Sequence, residues 1–189
     1  MISLYPLKFK PIYKEKIWGG NRLATLLHKQ PQPPQLCGES WEISGVQDNV
    51  SEVSNGFLEG NTIEELIEVY MGDLVGEKVY EKFGLEFPLL IKLIDANDIL
   101  SIQVHPDDAL ARKKHHAYGK TEMWYIVEAE PGSELIAGFK NPVSPSEFAQ
   151  HFENKTFLPL LQVEKVKKGD AFFIQIGRAH VWTPVTASY

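Results

Sequence analysis

Residues 100–105 alternate between apolar and polar side chains with the two-residue period of a β-strand. The apolar positions of this run fall on one face of an extended strand, where they predict packing against a core. The polar positions are Ser101, Gln103 and His105, and the same alternation puts all three on the opposite face. The pattern therefore predicts a strand with one face in the core and one face available for chemistry.

Short apolar runs separated by glycine, proline, asparagine and aspartate continue along most of the chain. Runs of this length and spacing are typical of strands joined by turns. Besides the run just described, the predicted strands cover residues 7–12, 17–20, 41–44, 50–53, 87–95, 121–127, 134–139 and 169–174.

A few stretches carry helix signals instead. Thr62-Ile-Glu-Glu65 has the form of a capping box, and the apolar residues after it recur at helical spacing up to the breakers Gly72 and Gly76. A second helix is predicted at residues 79–83, and a third begins at Ser144-Pro-Ser-Glu147.

The balance of these elements predicts the fold class. Many short strands, few helices and no alternation of strands with helices favour a mainly β protein, an antiparallel sandwich or barrel with a small helical insertion at about 62–83. At 189 residues, with 43% hydrophobic and 11% aromatic content, the chain is long enough for one well-buried domain. Because we find no internal repeat or linker, we expect that domain to cover residues 1–175.

Charge and cysteine content limit which binding partners and which cellular compartment we expect for this protein. The formal net charge of -6, with dispersed Lys and Arg, argues against a nucleic-acid-binding surface. No stretch approaches the roughly 20 apolar residues that span a membrane, and the N-terminal segment lacks the apolar core of a signal peptide. The lone Cys37 cannot form an intrachain disulfide, which fits a reducing compartment. We therefore expect a cytoplasmic protein without nucleic-acid or membrane partners.

A carboxylate on the next predicted strand, Glu122, can complete a metal shell with Gln103 and His105. An amide, an imidazole and a carboxylate together favour zinc or a similar divalent ion. On these residues alone, ordinary half-exposed polar side chains without a metal are an equally good interpretation, because only the convergence of such groups is informative.

Histidines elsewhere in the first 168 residues fit solvated positions better than a metal shell. His115 and His116 belong to the charged stretch 112–118, which we interpret as a loop that covers the site. His28 and His151 have no pattern of partner ligands, so we interpret them as surface residues.

A further motif lies near the end of the chain. Residues 169–180 contain a glycine turn, a strand, a second glycine and a histidine, with Gly169, Gly177 and His180 at the corresponding positions. This arrangement is similar to the second motif of cupin barrels, although Gln175 stands where that motif has proline.

Together with the Gln-x-His strand and the later glutamate, this motif makes the chain resemble the type I mannose-6-phosphate isomerases, zinc enzymes of the cupin fold. The resemblance extends over several separated segments in the family's order, which makes it more specific than any one of them. These segments are residues 9–20, 38–42, 87–92, 101–108 and 119–125. The resemblance implies a cupin-type jelly roll, which is an antiparallel β-sandwich or barrel.

The resemblance also implies a reaction and a set of site residues. The reaction is the interconversion of mannose 6-phosphate and fructose 6-phosphate, so the implied partner is a hexose 6-phosphate. Lys120 matches the lysine of the family's substrate pocket, and Ser101 fits either a contact to substrate phosphate or a small polar strand residue. The positions that match the ligands of the family's single zinc ion are Gln103, His105, Glu122 and His180.

From Ile176 onward the chain departs from the family pattern. Residues 176–186 resemble the in-frame translation of a sequencing adapter with a stop codon read as Trp, so we expect residues 176–189 to be a non-native tail. The family continues with a strand-rich region that contains an arginine for substrate binding and catalysis, and Arg178 lies at a different motif position. We therefore expect a C-terminally truncated enzyme with impaired or no activity, in which His180 falls inside the tail.

Two other functions fit part of the same residue set. His105, Glu122 and His180 also form a two-His-one-carboxylate set, as in an Fe(II)-dependent cupin oxygenase. Gln103 as a further ligand and the N-terminal segments weigh against that alternative. A non-catalytic sugar-binding cupin is the second alternative, and the sequence assigns no general base.

Overall fold

The computed structural model describes residues 4–98, 100, 103–104, 108–115, 119–174 and 179–183, and for 103–104, 115 and 179–183 it describes the backbone. The chain forms two compact units, Met1–Asp95 and Ala96–Tyr189. Strand pairing in both units is antiparallel throughout the described residues. The single domain over 1–175 and the non-native tail stay predictions.

The first unit is built on one four-stranded antiparallel sheet. Its strands are β1 (Ile12–Gly20), β2 (Cys37–Val46), β3 (Asn49–Val50) and β4 (Leu90–Ile94). Strand β2 pairs with each of the other three. The register sets Trp41 of β2 opposite Ile12 of β1 and opposite Lys92 of β4. Two segments of the family pattern, 38–42 and 87–92, are therefore neighbours in this sheet.

Short helices accompany this sheet. They are α1 (Arg22–Thr25), α2 (Ile63–Tyr70), α3 (Gly72–Val75) and α4 (Glu77–Phe83). The predicted capping box begins α2, because the Glu65 backbone N–H donates to Thr62 Oγ1 at 3.2 Å and the Thr62 backbone N–H donates to Glu65 Oε2 at 2.7 Å. The apolar face of α2 is buried through Ile63, Leu66 and Ile67, which matches the helical spacing in the sequence.

The second unit contains two antiparallel sheets. Their strands are β5 (Gln103–Val104), β6 (Glu122–Tyr125), β7 (Glu134–Phe139), β8 (Leu161–Lys165), β9 (Ala171–Ile174) and β10 (Ala179–Thr183). One sheet has the order β5-β10-β7-β8, and the other consists of β6 and β9. The register of the second sheet sets Glu122 opposite Ile174 and Trp124 opposite Phe172.

A buried cluster connects these two sheets. Leu135 of β7 packs in it with Ile126 and Val166, and Trp124 of β6 and Phe172 of β9 pack against the cluster. Leu135 belongs to the β5-β10-β7-β8 sheet, whereas Trp124 and Phe172 belong to the β6-β9 sheet. Burial of this shared apolar surface stabilises the packing of Trp124 and Phe172 against Leu135.

The described residues of the second unit form two helices, α5 (Asp108–His115) and α6 (Pro145–Glu153). The predicted N-terminus of α6 is confirmed, since the Glu147 backbone N–H donates to Ser144 Oγ at 3.2 Å. Pro145 occupies the first helical turn, where its missing N–H has no cost.

The mainly β architecture with antiparallel sheets is confirmed, as are the helices at 63–70, 77–83 and 145–153. The loop predicted at 112–118 is wrong for residues 112–115, because these residues belong to α5. Alanine, leucine, arginine and lysine dominate α5, and their high helix propensity is the sequence feature that could have predicted this helix. Closure of the sheets into a sandwich or barrel stays a prediction.

Two further differences concern strands. The strand predicted at 17–20 is the end of β1, which begins earlier, at Ile12, and whose polar middle pairs with β2. Of the strand predicted at 7–12, Ile12 lies in β1, and Phe9 forms an isolated bridge to Val53. Strand β8 was not predicted, although its residues alternate between apolar and polar side chains. Tertiary pairing thus decides strand boundaries that local composition leaves open.

Candidate functional site

Alternate residues of β6 differ sharply in exposure. Glu122 and Trp124 are partly buried, whereas Met123 and Tyr125 are 73% and 61% exposed. The alternation follows from the two-residue period of a strand, and Trp124 takes the inner face because it packs against the core cluster around Leu135. Glu122 therefore lies on the inner face of β6, at the edge of that core.

The Glu122 carboxylate is contacted at both oxygens by flanking residues. Lys120 Nζ lies 3.1 Å from Oε1, and Trp124 Nε1 donates a hydrogen bond to Oε2 at 3.3 Å. The Glu122 side chain is 12% exposed and the Lys120 side chain is 43% exposed. The negative charge of Glu122 is thus compensated by a lysine that reaches the solvent.

The register of β5 and β10 brings together two positions that are far apart in the sequence. Gln103 is the strand partner of His180, and Val104 is the partner of Ala179. Directly opposed residues of an antiparallel pair belong to the same face of a sheet. Positions 103 and 180 are therefore neighbours on one face of the β5-β10-β7-β8 sheet.

Helix α5 is tied to the start of β6. The Gly119 backbone N–H donates to Asp108 Oδ1 at 2.8 Å. Asp108 is the first residue of α5, and Gly119 directly precedes Lys120. This contact holds the beginning of the helix beside the lysine that compensates Glu122.

A comparison with protein families identifies the family of this chain. A family model described as phosphomannose isomerase type I, catalytic domain, matches residues 6–141. The chain belongs to this family. Its match contains Gln103, His105, Lys120 and Glu122, and it extends over parts of both compact units.

Individual type I phosphomannose isomerase relatives cover almost the whole of this chain. Mannose-6-phosphate isomerase ManA of Bacillus subtilis is 38% identical over 179 residues, which are 93% of this chain and 53% of that protein. The mannose-6-phosphate isomerase of Streptococcus mutans is 38% identical over 175 residues, with the same two coverages of 93% and 53%. The chain therefore spans about half the length of the curated relatives it matches.

The fold is also shared with a solved structure of this family. The crystal structure of the mannose 6-phosphate isomerase from Bacillus subtilis matches this chain with a TM-score of 0.83 and 34% identity. The match covers 94% of this chain and 55% of that one. The family resemblance that the sequence indicated is confirmed.

Several residues predicted for the site lie outside the described part of the chain. Ser101 and His105 are among them, and His116, which we interpret as a solvated loop residue, also lies outside it. Within the described side chains, no group of three or more His, Cys, Asp or Glu residues is close enough together to hold a metal ion. The structure thus describes the side chain of Glu122 and the strand register of Gln103 and His180, and the complete ligand set stays a prediction.

Two histidines predicted at the surface are described. His28 is exposed, with a positive φ of 49°. His151 lies on α6, where its Nδ1 is 2.9 Å from Thr156 Oγ1. The predicted surface position is confirmed for His28, and His151 is partly exposed.

Sequence reasoning did not single out a second contacted glutamate, Glu39 on β2. Trp41 Nε1 donates to Glu39 Oε2 at 2.7 Å, and Lys92 Nζ donates to Oε1 at 3.2 Å. Burial acts to raise the pKa of Glu39. The hydrogen bonds from Trp41 and Lys92 and the positive charge of Lys92 outweigh this effect, so the pKa lies below its ordinary value. The sequence did contain a hint of this contact, because Glu39 lies in segment 38–42 of the family pattern and Lys92 lies in segment 87–92. The pairing of β2 with β4 brings these two segments together.

Other buried titratable groups serve the fold. The Asp95 carboxylate accepts the Arg22 backbone N–H at 2.6 Å at the start of α1, and its burial raises the pKa of Asp95. The Cys37 thiol is buried in β2, and burial likewise raises its pKa.

Across the described segments, the helices are too short or too polar to cross a membrane.

Proposed function

We propose that this chain forms the metal-binding part of a zinc-dependent aldose–ketose isomerase that interconverts mannose 6-phosphate and fructose 6-phosphate on a cupin-type jelly roll. The observation that carries the proposal is the type I phosphomannose isomerase match over residues 6–141. The contacts of Glu122 support it, because they place a partly buried carboxylate beside a partly exposed lysine, at two positions that the sequence resemblance implies for the site.

The donor set fits a zinc ion. Glu122 supplies a carboxylate with little exposure, and the register makes Gln103 and His180 strand neighbours. An amide oxygen, two imidazoles and a carboxylate are ligands that zinc accepts in four-coordinate sites. We therefore assign the ligands of one zinc ion per chain as Gln103, His105, Glu122 and His180.

The proposed reaction moves a proton between C2 and C1 of the sugar. A bound zinc ion supplies Lewis-acid polarisation of the sugar oxygens. Lys120 is partly exposed, so its ammonium can reach an anionic substrate and orient it by charge attraction. Ser101, on the same predicted strand face as Gln103, is assigned a hydrogen bond to the substrate phosphate.

The test measures metal content and turnover together. A chimera in which the residues after Ile174 are replaced by the matching remainder of Bacillus subtilis ManA is purified beside the chain itself. We expect zinc in the chimera and interconversion of the two hexose phosphates in a coupled assay. Gln103→Leu, His105→Ala and Glu122→Ala should each abolish turnover.

Three results would contradict the proposal. The first is a zinc-loaded chimera that does not interconvert the two sugars. The second is full activity in His105→Ala. The third is iron in place of zinc together with oxygen uptake, which would favour an Fe(II)-dependent cupin oxygenase.

A further inference from the structure

Trp124 is held in place by the core at the same time as it contacts Glu122. Its ring packs against the buried cluster of Ile126, Leu135 and Val166. Its Nε1 donates to Glu122 Oε2 at 3.3 Å. The donor is therefore fixed by packing, and Glu122 is the group that orients to meet it.

Lys120 contacts the same carboxylate in a different manner. Its side chain is 43% exposed, and its long aliphatic stem retains rotamer freedom. It also carries a positive charge, which repels a divalent cation that approaches Glu122. Trp124 is neutral, so its hydrogen bond can persist while the same carboxylate binds a metal.

These contrasts assign a role to the indole that goes beyond packing. Resting on the zinc site of the proposed function, we infer that Trp124 is a positioning residue for Glu122. Its N–H fixes the carboxylate in the orientation that receives the metal and thereby sets metal affinity. Outer-shell hydrogen bonds to ligands typically change metal affinity by about 10–100-fold.

The experiment titrates the full chain with zinc in competition with a chromophoric chelator. Trp124→Phe keeps an aromatic ring in the cluster but removes the donor, and we expect the zinc Kd to rise by about tenfold or more. Phe172→Leu is the matched control, because Phe172 is the strand partner of Trp124 and packs on the same cluster without a polar atom. The control should keep the wild-type zinc Kd within about twofold.

A spectroscopic measurement separates positioning from general loss of stability. The visible absorption of the Co²⁺-loaded chain reports ligand geometry, and it should change in Trp124→Phe and stay unchanged in Phe172→Leu. Thermal unfolding of both metal-free variants checks that their stabilities are similar. If Trp124→Phe does not fold, Trp124→Met, which also lacks the donor, takes its place.

The possible outcomes distinguish this inference from the proposed function. A wild-type chain that binds no zinc would contradict both the positioning role of Trp124 and the proposed zinc-dependent function. Wild-type zinc binding with an unchanged Kd in Trp124→Phe would overturn the positioning role alone. Equal weakening in Trp124→Phe and Phe172→Leu would overturn it as well, because packing would then account for the effect.

Discussion

Each compact unit contains a strand glutamate that is contacted by a tryptophan two residues later and by a lysine. In the first unit, Trp41 and Lys92 contact Glu39, and in the second unit, Trp124 and Lys120 contact Glu122. Both glutamate side chains are 12% exposed. The same local sequence pattern, Glu-x-Trp on a strand, thus produces the same indole-to-carboxylate contact twice.

The lysines distinguish the two arrangements. Lys92 comes from the neighbouring strand β4 and is 20% exposed, whereas Lys120 lies two residues before the start of β6 and is 43% exposed. The indole hydrogen bond is also shorter at Glu39, at 2.7 Å against 3.3 Å at Glu122. We infer that the fold itself neutralises Glu39, while Glu122 has a counter-ion that an incoming cation can displace.

Replacement of the two acids gives the largest expected contrast. Glu122→Gln should weaken zinc binding by at least about 100-fold, because it removes the negative charge of a direct ligand, and this change should exceed the about 10–100-fold typical of outer-shell changes. Glu39→Gln should leave the zinc Kd within about threefold, since we place Glu39 outside the ligand set. Titration of both variants against a competing chelator measures this, and equal weakening would remove the distinction between the two glutamates.

Replacement of Lys92 and of Lys120 should lower the free energy of unfolding by different amounts. Lys92→Met leaves a partly buried Glu39 without its cation, and we expect a loss of about 2 kcal/mol in the free energy of unfolding. Lys120→Met removes an exposed charge and should cost about 0.5 kcal/mol or less. Urea denaturation of both variants tests the order, and a larger loss in Lys120→Met would reverse our assignment.

The pH dependence of stability should carry the signature of Glu39. Its folded-state pKa is lower than the ordinary value of 4.5, so the stability it contributes is present above pH 4.5 and is lost as the pH falls through the folded value. Glu39→Gln should therefore show a shallower decline in unfolding free energy below pH 4.5 than the wild type. Parallel declines would show that the ion pair has no part in acid sensitivity.

The smallest expected effect concerns the charge of Lys120. Lys120→Met removes a cation that lies 3.1 Å from Glu122 Oε1, so zinc binding should become tighter by about threefold at low salt. The gain should shrink as salt screens the charge. Zinc titrations at two ionic strengths provide the measurement, and weaker zinc binding in this variant would mean that the lysine supports the ligand instead of opposing the metal.

Local sequence rules were sufficient for part of the fold and of the site. The capping residues Thr62 and Ser144 identified their helices because side-chain and backbone groups a few residues apart decide a helix start. Glu122 was singled out as a carboxylate on the next predicted strand, and its partly buried position follows from strand alternation, which is also local. The Glu39–Lys92 pair escaped notice because its partners meet only through the register of β2 with β4, which local patterns do not determine.

The register of β6 against β9 has a consequence for folding experiments. Trp124 is paired with Phe172 and Glu122 with Ile174, and a slip by one residue would turn every side chain of β6 to the other face. A misregistered molecule would present the thioether of Met123 toward the core and lose the carboxylate there. If Glu122 binds zinc as proposed, the zinc-binding capacity of a refolded sample counts the molecules whose strands are aligned correctly, and metal titration becomes an assay of folding fidelity.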